Sequence, residues 1–195
     1  MMVMADKPED NSAGNTVVTR PEDALASSEE AVLWSALSGV MDPEVPALSI
    51  IDLGIVRAVR VSAPRVEGKG GVAEIDVTPT YTGCPATALI NEIIMAASVS
   101  VGFGKTKINL VLSPAWTTDW ISTEAREKLR AYGIAPPSTG APVGKATLFG
   151  ALPVVTCPQC GSQNTEQVSE FGATACKAMY RCKSCFEPFE YFKCI

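Results

Sequence analysis

The chain reads as an α/β (α+β) protein, a small α-β-β-α-β-α domain followed by a zinc-ribbon-like β module. Three observations lead there. Between residues 28 and 132, apolar positions recur at helical and strand spacings in alternation. Six of the seven cysteines fall within the last 39 residues, as two Cys-x-x-Cys pairs with two further thiols beside them. A stretch rich in Pro, Gly, Ala, Ser and Thr separates the two parts. On this reading residues 1–26 are a disordered acidic tail, 27–133 the α/β domain, 134–153 a linker and 154–195 the cysteine module.

Each element follows from its own pattern. Ser27 and Glu30 have the capping-box spacing, and Val32, Leu33, Leu37 and Val40 share one helical face that ends before Pro43. IVRAVRV (55–61) and VAEIDVT (72–78) predict two strands joined by a glycine-rich hairpin loop. In the second, Ala73, Ile75 and Val77 alternate with polar residues, as in a half-buried strand. Leu89, Ile90, Ile93, Ile94, Ala97 and Val101 predict a helix over 86–101. KINLVL (107–112) predicts a third strand with Ile108, Leu110 and Leu112 on one side. STEAREKLRAY (122–132) predicts a last helix, with early Glu and late Arg matched to the helix dipole and Gly133 as its stop. Three strands with covering helices make a three-stranded mixed sheet.

Composition excludes several functions. There is no histidine, which removes the Ser-His-Asp triad, the usual Cys-His pair and every histidine-containing metal site. A diiron oxygenase site needs Glu and His on a helix bundle, and the chain has no histidine and only a few short helices. No GxGxxG fingerprint or P-loop marks a flavin- or nucleotide-binding reductase. The net charge of −5 arises within residues 1–30, which carry seven acids against two bases; the remaining residues balance. A nucleic-acid binder needs a basic face, so nucleic acid is not the expected partner. No apolar stretch is long enough to span a bilayer, and MMVMADKPED lacks the apolar core of a signal peptide, so the expected location is the cytoplasm.

In a reducing compartment, clustered Cys-x-x-Cys pairs point to metal rather than disulfides. Cys157, Cys160, Cys182 and Cys185 supply four thiolates on two tight turns, the first followed by Gly161. Zinc is the metal expected in this Cys₄ set, though four cysteines also suit an iron–sulfur cluster. Cys176 and Cys194 are either apolar packing residues or additional, transient ligands. Cys84, in YTGCPAT, falls just before a helix with Pro85 at the expected first position, where the dipole would favour its thiolate. Asp42 and Glu44 of DPEV, if close, would oppose that shift or help hold a metal. Trp116 and Trp120 read first as core or lid residues, second as a docking surface.

DPEVPALSIIDLGIV, TPTYTGCP and SPAW…WIS…AREKL resemble the iron–sulfur assembly domain of SufT-like proteins. With YGIAPP, SEFGATACKAMYRC and EPFEYFKC, residues 28–195 resemble the D (J) subunits of bacterial phenylacetyl-CoA 1,2-epoxidases. The resemblance implies an accessory, non-catalytic subunit of phenylacetate degradation that assists iron or iron–sulfur maturation of oxygenase and reductase partners. It carries the reactive cysteine onto Cys84, the acidic motif onto Asp42 and Glu44, and the ribbon ligands onto the four paired cysteines. The alternative is a purely structural, zinc-stabilised subunit of the oxygenase.

Overall fold

The computed structural model describes residues 28–81, 83–138 and 153–193. The acidic tail, Cys194 and most of the linker expected from sequence lie outside the described residues. The elements in chain order are α1 (Ser28–Ser38), β1 (Val56–Ala63), β2 (Val72–Val77), α2 (Thr87–Ser100), β3 (Lys105–Leu110) and α3 (Thr123–Tyr132). The two-residue β4 (Ile134–Ala135), β5 (Thr165–Ser169), β6 (Lys177–Cys182) and β7 (Pro188–Phe192) complete them.

The first sheet has the order β1-β2-β3, antiparallel between β1 and β2 and parallel between β2 and β3. Strand period two sorts its faces. Ala73, Ile75 and Val77 are buried under the helices. On the opposite face Arg60 reaches across to Asp76 with contacts of 2.6 and 2.8 Å, and Asn109 donates to the same carboxylate at 3.0 Å. From α1, Leu33, Trp34 and Leu37 enter the core; from α2, Ile90 and Ile94. Leu110 and Leu112, placed on one side of the strand with Ile108 by the alternation, are 58% and 52% exposed, and Leu112 lies beyond the end of β3.

The β1–β2 loop is tied to the ends of both helices. Arg65 pairs with Glu29 of α1 at 2.7 Å and donates to the Val101 carbonyl after α2 at 2.7 Å. Gly102 closes α2 with φ +95, and a Cβ there would run into the Gly68 carbonyl oxygen of the loop. Gly102→Ala should therefore cost more than about 2 kcal/mol, combining left-handed backbone strain with overlap that side-chain rotation cannot relieve. Chemical denaturation checks this, and a cost below about 0.5 kcal/mol would mean that the loop gives way freely.

Gly133 ends α3 in the left-handed conformation, its N–H directed to the Leu129 and Arg130 carbonyls. The next two residues, read from sequence as linker, form β4 and pair in parallel with β7. The second sheet is thus β4-β7-β6-β5, three ribbon strands plus a strand from the end of the α/β unit. Its two faces serve different cores. Ala178, Tyr180, Cys182, Phe189 and Tyr191 pack in a small ribbon core with Val155, Cys157 and Ala135. Phe192, from the other face of β7, belongs to the main core, as does Cys176 just before β6. Phe192 meets Trp116 with ring centroids 6.3 Å apart, and the Trp116 indole N–H donates to the Leu53 carbonyl at 2.7 Å. Trp116 is thus core and inter-unit packing. Trp120 is stacked by the Arg57 guanidinium 3.3 Å from its ring centre.

Candidate metal centres

The two Cys-x-x-Cys turns are built alike. In the first, the Cys157 amide donates to Ser162 and the Gly161 amide returns to the Cys157 carbonyl; in the second, Cys182 donates to Glu187 and Phe186 returns to Cys182. Each turn needs a left-handed residue after its second cysteine, supplied by Gly161 (φ 73) and by Phe186 (φ 67). The turns face each other. Cys157 and Cys185 Sγ lie 3.8 Å apart, Cys160 and Cys182 Sγ 3.5 Å apart, and all four sulfurs fall within 4.8 Å of one another.

A tetrahedral ion with metal–sulfur bonds of about 2.3 Å has sulfur–sulfur edges of about 3.8 Å. The set therefore fits one zinc ion, held by Cys157, Cys160, Cys182 and Cys185. The amides of Cys185 and Ser184 point at the Cys182 sulfur from 3.5 and 3.4 Å, and these hydrogen bonds hold its pKa down at about 6. An acidic thiol is one ready to bind metal without waiting for a base.

The second group of chemical side chains lies where the two cores meet. Asp42 is buried, and its Oδ1 accepts the Glu44 and Val45 amides at 2.8 Å each. This turn throws the Glu44 side chain toward the ribbon, where its Oε2 lies 3.8 Å from the Cys176 sulfur. Thr174 Oγ1 lies 3.0 Å from the same sulfur. The buried Lys177 locks the contact: its ammonium pairs with Glu190 at 2.8 Å and donates to the Glu44 carbonyl at 3.4 Å. Asp42, Glu44, Cys84 and Cys176 line one cavity of about 10 Å³, closed below by Leu53, Ile55 and Phe192.

Cys84 corrects one expectation. The helix begins at Thr87, with Ala86 as its cap, so Pro85 is not the first helical residue and Cys84 stands three residues ahead of the helix. Thr87 turns back on it instead, donating to the Cys84 carbonyl from Oγ1 at 2.9 Å. Burial pushes the Cys84 thiol pKa up, and nearby Glu44 and Asp42 push it further, against the Ala86 amide and the Thr87 hydroxyl. Dipole activation does not prevail there; desolvation and the carboxylates do. Cys176 is raised by burial first as well, with Glu44 adding to it. The Tyr81 phenol, beside Cys84, Glu44 and Cys176, is pushed up to about 12, chiefly by desolvation.

Sequence reasoning named Asp42, Glu44, Cys84 and Cys176 but did not bring Cys176 to the other three. It missed Tyr81, whose place three residues before Cys84 in a turn was the available signal, and Lys177, which has none. Among the described residues no helix is long and apolar enough to cross a membrane.

Fold and sites together define a class: an iron–sulfur-assembly-type α/β domain carrying a Cys₄ zinc ribbon. Residues 30–110 match the family described as iron-sulfur cluster assembly protein, and residues 141–193 the family described as PaaD zinc beta ribbon domain. The chain is 50% identical over 163 residues to the Escherichia coli protein named as the D subunit of a "Putative 1,2-phenylacetyl-CoA epoxidase", covering 84% of this chain and 92% of that one. It is 33% identical over 88 residues to the Fe-S protein maturation auxiliary factor SufT of Staphylococcus aureus, covering 45% of this chain and 92% of that one. Among solved structures, a domain of unknown function from Bacillus anthracis aligns with TM-score 0.43 and 29% identity over 51% of this chain and 90% of that one. The chain belongs to the family of phenylacetyl-CoA epoxidase D subunits.

Proposed function

We propose that this chain is the accessory subunit of a phenylacetyl-CoA ring-epoxidase system in phenylacetate degradation. It acts in the cytoplasm beside the oxygenase and reductase subunits, and assists maturation of their iron or iron–sulfur centres rather than catalysing the epoxidation. The assembly unit is taken as 27–133 and the ribbon as 154–195, with Ile134 and Ala135 strapping the two together. The convergence of Asp42, Glu44 and Cys84 at one cavity carries this reading. A thiol beside two carboxylates, with no histidine anywhere in the chain, suits transient capture of iron better than acid–base catalysis. In this reading Cys84 is the transient ligand, Asp42 and Glu44 assist it, and Cys157, Cys160, Cys182 and Cys185 hold a zinc whose task is to fold the ribbon.

The test is co-expression of the partner oxygenase and reductase with the wild-type chain or with Cys84→Ser. Iron and acid-labile sulfide in the purified partners are expected to fall several-fold with the variant, while its own zinc content and circular dichroism stay unchanged. Full metal loading of both partners with Cys84→Ser would leave only the structural role.

A further inference from the structure

We propose that Cys84, Cys176, Glu44 and Asp42 form a second metal site, composed across the two units, which takes a single thiophilic divalent cation rather than an assembled cluster. This deepens the maturation reading and rests on it for the identity of the cargo. Two units supply the ligands: the α/β domain gives one thiol and two carboxylates, and the ribbon delivers the second thiol from the residue before β6.

Three observations carry the assignment. The first is proximity. Cys176 is buried at the margin of the main core, and its sulfur reaches the Glu44 carboxylate at 3.8 Å across the join between the two units. The second is the arrangement of Asp42. One oxygen takes both turn amides, which fixes the carboxylate, 6% exposed, on the wall of the cavity. Burial pushes its pKa up, so a carboxyl held there is neutralised by a proton or by a bound cation.

The third observation is size. The cavity of about 10 Å³ is at the lower bound for one water-sized occupant. An ion fits there with modest side-chain movement, whereas a cluster of several iron and sulfide atoms fits only if the ribbon leaves. Two thiolates with carboxylate oxygens match ferrous iron, cobalt or zinc, and exclude magnesium and calcium, which take oxygen ligands.

The site also differs from the ribbon in readiness. Among the described residues, the ribbon cysteines are the one group of three or more such side chains whose ligand atoms all lie within 4.8 Å of one another. The composite set must be drawn in by the ion, which weakens binding and speeds release. That contrast separates a retained zinc from an exchangeable cargo.

The experiment titrates zinc-loaded, full-length protein anaerobically with Co(II), which binds such ligands less tightly than zinc and so leaves the ribbon occupied. Thiolate-to-cobalt charge-transfer absorption and zinc content are read together. The wild type is expected to take one cobalt per chain while keeping one zinc, and to lose the cobalt first to a chelator. The band should fall to about half in Cys84→Ser and in Cys176→Ser, as one of two thiolates is lost, and vanish in the double variant. Glu44→Gln, which leaves both thiols in place, should weaken cobalt binding at least about tenfold. A wild-type band in Cys176→Ser, uptake of two or more cobalt ions outside the ribbon, or no uptake at all would each overturn the composite site. Such a result, with partner iron still falling on Cys84→Ser, would leave the maturation reading standing on Cys84 alone. A cobalt site that behaves as expected beside partners of normal iron content would instead sink the maturation reading and keep the site.

Discussion

Cys182→Ser is expected to strip the ribbon of its zinc and to unfold residues 153–193 while the α/β unit keeps its fold. Cys182 is wholly buried, receives the Ser184 and Cys185 amides, and sits in the small ribbon core beside Cys157, Tyr180 and Tyr191. That core is too small to hold three short strands by hydrophobic burial alone. Metal binding makes up the deficit, with an apparent contribution of about 10–16 kcal/mol for structural zinc in small domains at neutral pH. Removing one of four thiolates takes most of that away, because serine is a poor zinc ligand and leaves an unsatisfied position. Hydrogen exchange should show the β5, β6 and β7 amides losing protection together, and elemental analysis should show no zinc. Protected β6 and β7 amides in a zinc-free variant would mean that the ribbon folds on its own core. A strong chelator applied to the wild type should reproduce the variant's exchange pattern.

Phe192→Ala is expected to cost about 3–5 kcal/mol, the range for removing a fully buried aromatic ring. The ring is 1% exposed, packs against Trp116, and projects into the main core from a ribbon strand. The loss therefore acts on the join between the units rather than on the ribbon. Zinc content should stay at one per chain, since the Cys₄ set lies on the opposite face of the sheet. Cobalt uptake at the composite site should weaken in parallel, because Phe192 lines the cavity that holds Cys84 and Cys176. Denaturant unfolding and zinc analysis on one preparation read both effects. A cost below about 1 kcal/mol would show that the units are not keyed together through this ring.

Much of the architecture was legible because its signals are local. Alternation in VAEIDVT and helical spacing in 86–101 placed β2 and α2 within a residue or so of their observed ends. The Cys-x-x-Cys pairs marked the four thiols that converge within 4.8 Å, and Gly161 marked one left-handed turn. Its counterpart at Phe186 carried no such mark, since an exposed aromatic in that conformation is stabilised by the knuckle around it. Two residues of β4 were read as linker because a strand that short has no period to detect. The sequence left the Cys84 shift open between the helix terminus, which would lower it, and Asp42 and Glu44, which would oppose that if close. Burial and those carboxylates, about forty positions earlier, decide it upward, and neither effect has a local signature.

The sequence by itself determined which side chains can hold a metal in this protein. Seven thiols, paired carboxylates and no histidine leave thiolates and carboxylates as the ligand set, whatever the fold. Only the tertiary structure decided how those groups are divided. Four thiols close on one ion because two turns of matching shape face each other. Cys176 is separated from them and set against Glu44, because strand alternation sends Phe192 to the main core and leaves the residue before β6 on the cavity that Cys84 also lines. Pairing across 132 positions leaves no trace in either segment, since the register of β6 and β7 and the burial of Phe192 fix it jointly.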